Sequence, residues 1–464
     1  MSPIMTSMRR GLRHRHTRAA LALVFLGACS TDTLLRAPDP DLVTPETVTS
    51  AEGANAVYIG ALDRFRNITA GAESSWLFGG LLADEWSTSS TFIQNDETDQ
   101  RRIQENNSSV TGMFRNLARV RTASNQAIRG LTTYAPTRVA ETAEMYFARG
   151  FAEMQLAQDF CNGIPLSDAS GDELIFGQPR SVAEVFGVAV ASFDSASALV
   201  VGRTDAASVR VERAARIAKA RAQLGLGDAA GAAVTLATGA AIPTSYAYEH
   251  TFATTSGDNI LWAQPFSAGR YIVGDSLEGT APNTFAVANA IGFSRVGDPR
   301  LPVTISTTAN GQDGQTKLRR TTLWARSTFV PVVNGIDARL IEAEARLAAS
   351  DRPGTLAILN ALRAAPPTLG TVTPAAMPAL VDPGSQAAMV SMFFREKAFW
   401  TFSRGQRLGD MRRMIRSYGR TEANTFPTGQ HYKGVAYGTD VNLPVPTDER
   451  ANNPNSTGCT DRNP

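Results

Sequence analysis

Arg213–Ala237 reads RAARIAKARAQLGLGDAAGAAVTLA, and its pattern decides the fold. Arg213 to Leu224 places alanine, isoleucine and leucine at three- and four-residue spacing, the period of one helical face. Gly225-Leu226-Gly227-Asp228 then supplies a turn, and Ala229 to Ala237 returns with alanines where two helices pack closely. A second stretch repeats the plan. Ile336 to Ala349 is periodic, Ser350-Asp351-Arg352-Pro353 turns the chain, and Leu356 to Arg363 comes back.

Both hairpins resemble tetratricopeptide units in length and small-residue placement, without the aromatic positions of that repeat. Stacked helix pairs of this kind bury their faces on one another and form recognition scaffolds. Further helices are predicted at Glu46–Arg66, Ser109–Leu131, Ala140–Phe160, Val182–Val200, Val211–Leu224 and Gln386–Tyr418. In the first, Thr44-Pro45 forms the cap and opening turn, with Val48, Ala51, Ala54 or Asn55, Tyr58 and Leu62 inward. In the third, Ala143, Phe147, Phe151, Met154 and Ala157 share a face, and Asn162-Gly163 with Pro165 ends the helix. From about residue 241 to 331 the texture changes to glycine, threonine and short β-prone pieces such as Asn259–Trp262 and Phe329–Val332. The expected architecture is mostly α, with a loop-rich insertion of short strands.

The N-terminus carries an address. Arg9, Arg10, Arg13, Arg15 and Arg18 precede an apolar run, Ala19 to Leu26, and Leu26-Gly27-Ala28-Cys29 is a bacterial lipobox. The run is far shorter than the ~20 residues of a membrane span. Residues 1–28 are therefore expected to be a lipoprotein signal peptide, with Cys29 lipidated. Ser30, not an acid, follows the cysteine, which points to the outer membrane. Residues 29–45, with Pro38-Asp39-Pro40-Asp41, read as a tether, and 46–464 as one helical binding domain.

The full chain has 45 basic and 43 acidic residues, but five arginines leave with the leader, so 40 against 43 gives a mature net charge of −3. No basic cluster with interleaved aromatics survives, so a nucleic-acid partner is not expected. Three cysteines are present. With Cys29 lipidated in an oxidising compartment, Cys161 and Cys459 are expected to pair, the alternative being two unpaired thiols.

Catalytic chemistry is hard to find. His14 and His16 go with the leader, and His250 and His431 stand in no metal-binding spacing and read as surface or loop residues. Gly225-Leu226-Gly227-Asp228 imitates a dinucleotide fingerprint but follows a helix. Gly274–Glu278 lacks the last glycine of a nucleophile elbow. Asp84-Glu85 and Glu342 with Glu344 are neighbouring carboxylates whose side chains diverge. No catalytic residue, metal or cofactor is expected. Trp76 reads as core, whereas Trp86 could edge a polar segment, Ser87–Arg102, of the composition that suits a glycan or a peptide.

Several segments in order resemble the RagB/SusD family of outer-membrane nutrient-binding lipoproteins. Ala148-Arg149-Gly150-Phe151 through Gly163-Ile164-Pro165-Leu166 is similar to the family's long helix and its Gly-x-Pro-Leu turn. Asp298-Pro299-Arg300 resembles its Asp-x-Arg loop, Val330-Pro331-Val332 with Leu340–Ala345 its strand and Ala-Glu-Ala helix, and Asn360-Ala361-Leu362-Arg363 its Asn-x-x-Arg helix. Arg395-Glu396 and Gly405-Gln406-Arg407-Leu408-Gly409-Asp410-Met411-Arg412-Arg413 resemble the signature near the C-terminus, and Leu443-Pro444-Val445-Pro446 with Asn453-Pro454-Asn455 the terminal motif. Arg404, Gln406 and Trp400 depart from it. Arg407 and Asp410, three apart, can pair on one helical face.

The resemblance implies a SusD-like fold and a non-enzymatic, surface-exposed lipoprotein. It would capture a glycan or oligopeptide and deliver it to a TonB-dependent, SusC-like transporter. Ligand residues do not transfer by motif, so residue type and loop position nominate Trp86, Arg101, Tyr271 and Trp324. Two other classes remain open: a lipid-anchored hydrolase, and a protein–protein adaptor using the tetratricopeptide-like helices.

Overall fold

The computed structural model describes residues 48–464 except 172, 281 and 282. The signal peptide, Cys29 and the tether lie outside the described residues. Helix α1 (Ala51–Arg66) starts later than expected because Ser50, accepting from the Gly53 amide at 3.1 Å, is the cap. Its buried face is Ala54, Val57, Ala61 and Phe65, rotated from the predicted one. A helix not read from the sequence follows, α2 (Ser75–Ala83), with all nine residues buried. A segment apolar all round belongs inside a core and shows no amphipathic period.

Strand β1 (Trp86–Thr88) and α3 (Ile93–Asp99) lead into α4 (Ser108–Tyr134) and α5 (Val139–Asp159). Helix α5 is the hub, packed on α4 and on α6 (Val182–Val200) and α7 (Ala206–Gly225). Phe147 and Phe151 on α5 meet Phe65 edge-on, at 5.7 and 5.4 Å between ring centroids. Helix α6 is long and apolar enough to cross a membrane by length and composition, yet it buries Val185, Phe186 and Phe193 while packed between α5 and α7.

The deciding stretch folds as a hairpin. Helix α7 turns at Leu226–Asp228 into α8 (Ala229–Ala237), which Asp228 caps through the Gly231 amide at 2.8 Å. The second hairpin is α9 (Gly335–Ala348) and α10 (Arg352–Ala364), opened by a reciprocal Asn334–Asp337 capping box and packed against α8.

Between the hairpins lie small antiparallel pairs. Taken in chain order, the strands are β2 (Ala247–His250), β3 (Tyr271–Val273), β4 (Leu277–Thr280), β5 (Asn283–Ala286), β6 (Val303–Asn310), β7 (Lys317–Thr321) and β8 (Val330–Asn334). They pair as β1 with β3, β2 with β8, β4 with β5, and β6 with β7. The expected insertion is there, with one correction. Asn259–Trp262 is not a strand, because Asn259 accepts the Leu261 amide at 3.0 Å and starts a helical turn that runs on as a wider π turn, Ala263–Ala268.

The predicted helix Gln386–Tyr418 is two, α11 (Gln386–Trp400) and α12 (Arg407–Ser417). Ser403 and Gly405 between them take left-handed backbone, φ 63° and 62°. A Cβ at Gly405 would stand 2.0 Å from Trp76 Cδ1, in the core. Gly405→Ala is expected to cost about 1–3 kcal/mol, since conformation and space are both lost; urea unfolding checks it, and a midpoint equal to wild type would contradict it.

That break brings the signature's charges inward. Arg407 does not pair with Asp410: its fork closes on Asp84 just after α2, at 2.7 and 2.9 Å, since a bidentate buried partner outweighs a helical neighbour. Asp410 instead holds Lys397 at 2.8 Å and Arg413 at 2.7 Å, and Arg413 also grips Glu344 at 2.5 and 2.8 Å. Arg404 and Gln406, the departures from the family pattern, both bind Asp337. Cys161 and Cys459 are joined by a disulfide that ties the C-terminus to the end of α5, beside backbone bridges from Phe160 to Leu443 and Asn162 to Asp461.

Candidate functional site

None of the four residues nominated as ligand contacts faces solvent, and the reason is the same for each. A large side chain in a polar stretch found a better environment inside. Trp86 is 1% exposed, packed on Phe402 at 4.9 Å, and Tyr271 lies 6.5 Å away with its hydroxyl given to Glu73. Trp324 donates its indole N–H to Ser403 Oγ at 2.8 Å. Arg101 spans three chain segments, donating to the carbonyls of Asp440 (2.8 Å) and Pro427 (2.7 Å) and to Glu422 (2.5 Å). Only Trp86 and Tyr271 come together, across the β1–β3 pair. The four are architectural.

Neither histidine is at the surface: His431 lies in a loop, as expected, but is buried, and His250 is buried on β2. His431 Nε2 sits 3.1 Å from Asp99 and its Nδ1 accepts the Lys433 amide. His250 is buried edge-on to Phe65, and burial pushes its pKa down to about 3. Among the described residues no group of three or more His, Cys, Asp and Glu is placed to hold a metal.

Buried carboxyls in the ionic core resemble an acid–base pair by titration alone. Burial pushes Glu85 up to about 8, the adjacent Asp84 charge adding to it, and pushes Asp159 up to about 7. Both are enclosed. Glu85 accepts the Ser403 amide at 2.9 Å and Asp159 the Gln155 amide at 2.7 Å, so they serve packing. A carboxyl whose folded pKa is raised holds its proton in the folded state after the unfolded chain has lost it. Stability from Glu85 therefore falls as pH rises from about 4.5 to about 8. Glu85→Gln keeps an oxygen for Ser403 but cannot ionise, so its urea-unfolding free energy is expected to drop less than wild type across that window. Parallel pH profiles would contradict this.

Exposed aromatics gather elsewhere. Phe92, 39% exposed, follows β1, and Phe266, 46% exposed, lies on the π turn four residues after Trp262. That spacing stacks Trp262 and Phe266 at 5.6 Å and 20°. Gly269, at φ 64°, ends the turn, and its carbonyl takes Ser89 Oγ at 2.8 Å and the Gln312 amide at 2.8 Å. The loop after β1, the turn and the β6–β7 hairpin are thus stitched into one surface. Arg270 lies 4.3 Å over the Phe92 ring and Arg320 4.7 Å over Phe266, Arg320 also donating to the Phe266 carbonyl at 2.7 Å. Ser90 and Gln312 hydrogen bond to each other at 3.2 Å beside them. Sequence reasoning missed this platform because Asn259–Trp262 looked like a strand. The signal available was Trp262 and Phe266 at i, i+4, which only a helical turn brings together.

Such a surface offers ring area held stiff by neighbours and planar donors around it. Pyranose rings present apolar C–H faces with hydroxyls at the edges, and that combination matches. Helix-lined space exists too: a groove of about 750 Å³ between the hairpins is lined by Ala229, Ala233, Ala345 and Ala349. Asp228, Glu342 and Arg346 also line it, but among the described residues it holds no aromatic ring for a sugar face to stack on.

The architecture defines a class, the SusD-like fold. Solved structures similar over nearly their whole length include the SusD-like carbohydrate binding protein from Bacteroides vulgatus, at 14% identity and TM-score 0.62, with 88% of this chain and 97% of that chain covered. Surface glycan-binding protein A from Bacteroides uniformis shows 13% identity and TM-score 0.60 over 88% and 99%. B. fragilis NanU shows 13% and 0.60 over 91% and 99%. No family model and no curated protein matches the chain.

Proposed function

We propose that this chain is a non-enzymatic, glycan-binding lipoprotein of the RagB/SusD family. The observation that carries the reading is the pair of exposed rings Phe92 and Phe266, the latter stacked on half-buried Trp262, each with a guanidinium over it, on a SusD-like fold. Structural neighbours whose names state carbohydrate or glycan binding support it. Residues 1–28 are a signal peptide, Cys29 takes the lipid, 29–45 tether the body, and the protein sits on the outer membrane facing outward. It passes its ligand to a SusC-like, TonB-dependent transporter.

The aromatic platform replaces Trp86, Arg101, Tyr271 and Trp324 as the ligand surface. Glycan is favoured over oligopeptide because the exposed rings are flanked by hydroxyl and amide groups. Binding of purified protein to parallel oligosaccharide and peptide arrays, followed by calorimetry, tests the reading. Oligosaccharide retention without turnover is expected. Retention of peptides alone would reject the glycan, and release of shortened sugars would reject the non-enzymatic role.

A further inference from the structure

The charges around the platform are unbalanced in a way that narrows its ligand. Arg270 and Arg320 form no ion pair among the described residues, and each keeps a buried Nε without a hydrogen-bond partner. Acids on the same segments are committed elsewhere. Lys433 holds Asp96 at 2.7 Å and Asp313 at 3.7 Å, Arg326 holds Asp258 at 2.7 Å, and Arg319 is paired with Glu278. Glu73 takes the Tyr271 hydroxyl.

The Nε–H groups are buried and one terminal nitrogen of Arg320 is given to the Phe266 carbonyl, so the remaining terminal N–H groups are those that meet the oxygens of a carboxylate or sulfate. A neutral sugar covering the platform would desolvate two cations and return only ordinary hydrogen bonds. An oxyanion would answer both.

We infer that the saccharide taken by this surface is anionic, its carboxylate or sulfate groups received by Arg270 and Arg320. This rests on the glycan reading above. Phe92, Trp262 and Phe266 supply the contact with the sugar rings, and the two arginines select for charge.

The test is affinity electrophoresis of the folded protein through gels containing polygalacturonate, carboxyl-reduced polygalacturonate, chondroitin sulfate, unsulfated chondroitin, and neutral xylan and glucan. Retention by at least one acidic polymer above its neutral counterpart is expected; the polygalacturonate and chondroitin sulfate lanes separate carboxylate from sulfate. Arg270→Gln with Arg320→Gln should weaken that retention about ten- to hundredfold, as charge-assisted contacts would, with unchanged thermal melting. Raising salt from low to high should weaken it too. Equal or stronger retention by neutral polymers, or an unmoved double variant, would overturn the inference and leave the glycan reading intact. Retention by none would overturn the glycan reading and this one together.

Discussion

Glu344→Ala is expected to lower folding stability by about 3–5 kcal/mol, the usual cost of stranding a buried charge. Glu344 is fully buried on α9 and receives Arg413 through two hydrogen bonds, Lys397 at 3.3 Å and the Tyr418 hydroxyl at 3.4 Å. Removing it leaves two cations for Asp410 alone. The two Arg413 contacts bind α9 to α12, and Lys397 brings in α11, so the loss is felt where the second hairpin meets the signature helices. Urea unfolding of the variant measures it. A fall below about 1 kcal/mol would mean the network is replaceable and that the signature does not hold the fold.

Opening the disulfide by Cys161→Ser with Cys459→Ser is expected to cost about 2–5 kcal/mol. The bridge spans 298 residues, so in the chain-entropy argument its removal frees a very long loop in the unfolded chain. The folded state keeps other ties at the same place: Arg462 donates to Asn442 at 2.8 and 2.6 Å, and Asn162 to Asp461 at 2.8 Å. The fold should therefore persist with a lower midpoint, and the tail after Val445 should become the first protease cut. Equal urea midpoints for the oxidised protein and the double variant would contradict this.

Much of the fold was legible where helices are amphipathic. Val182–Val200 ends where its period ends, and both hairpins turn where Gly227 and Asp351 indicate. α2 was not legible, because a helix apolar on every side has no period to read. The α11–α12 break was hidden because Arg404-Gly405-Gln406 interrupts the pattern for less than two turns, and the reason for the break is Trp76, far away in sequence. The order of the family motifs was readable, yet the pairing inside them was not: Arg407 chose Asp84, 323 residues distant, over its neighbour on the helix. The site was the least legible part. Composition marks an aromatic residue but not its depth, so Trp86, Tyr271 and Trp324 looked available and are core. Phe92 and Phe266 are brought to one surface by the Ser89 and Gln312 hydrogen bonds to the Gly269 carbonyl, which only the folded chain provides.

Phe92 and Phe266 are the rings proposed to contact the sugar. Calorimetric titration of Phe92→Ala with Phe266→Ala against the oligosaccharide that wild type retains tests this most directly, since both rings are exposed enough to be removed without opening the core. A loss of about tenfold or more in affinity is expected, as for aromatic anchors elsewhere, at an unchanged melting temperature. Full affinity in the double variant would place the binding site elsewhere.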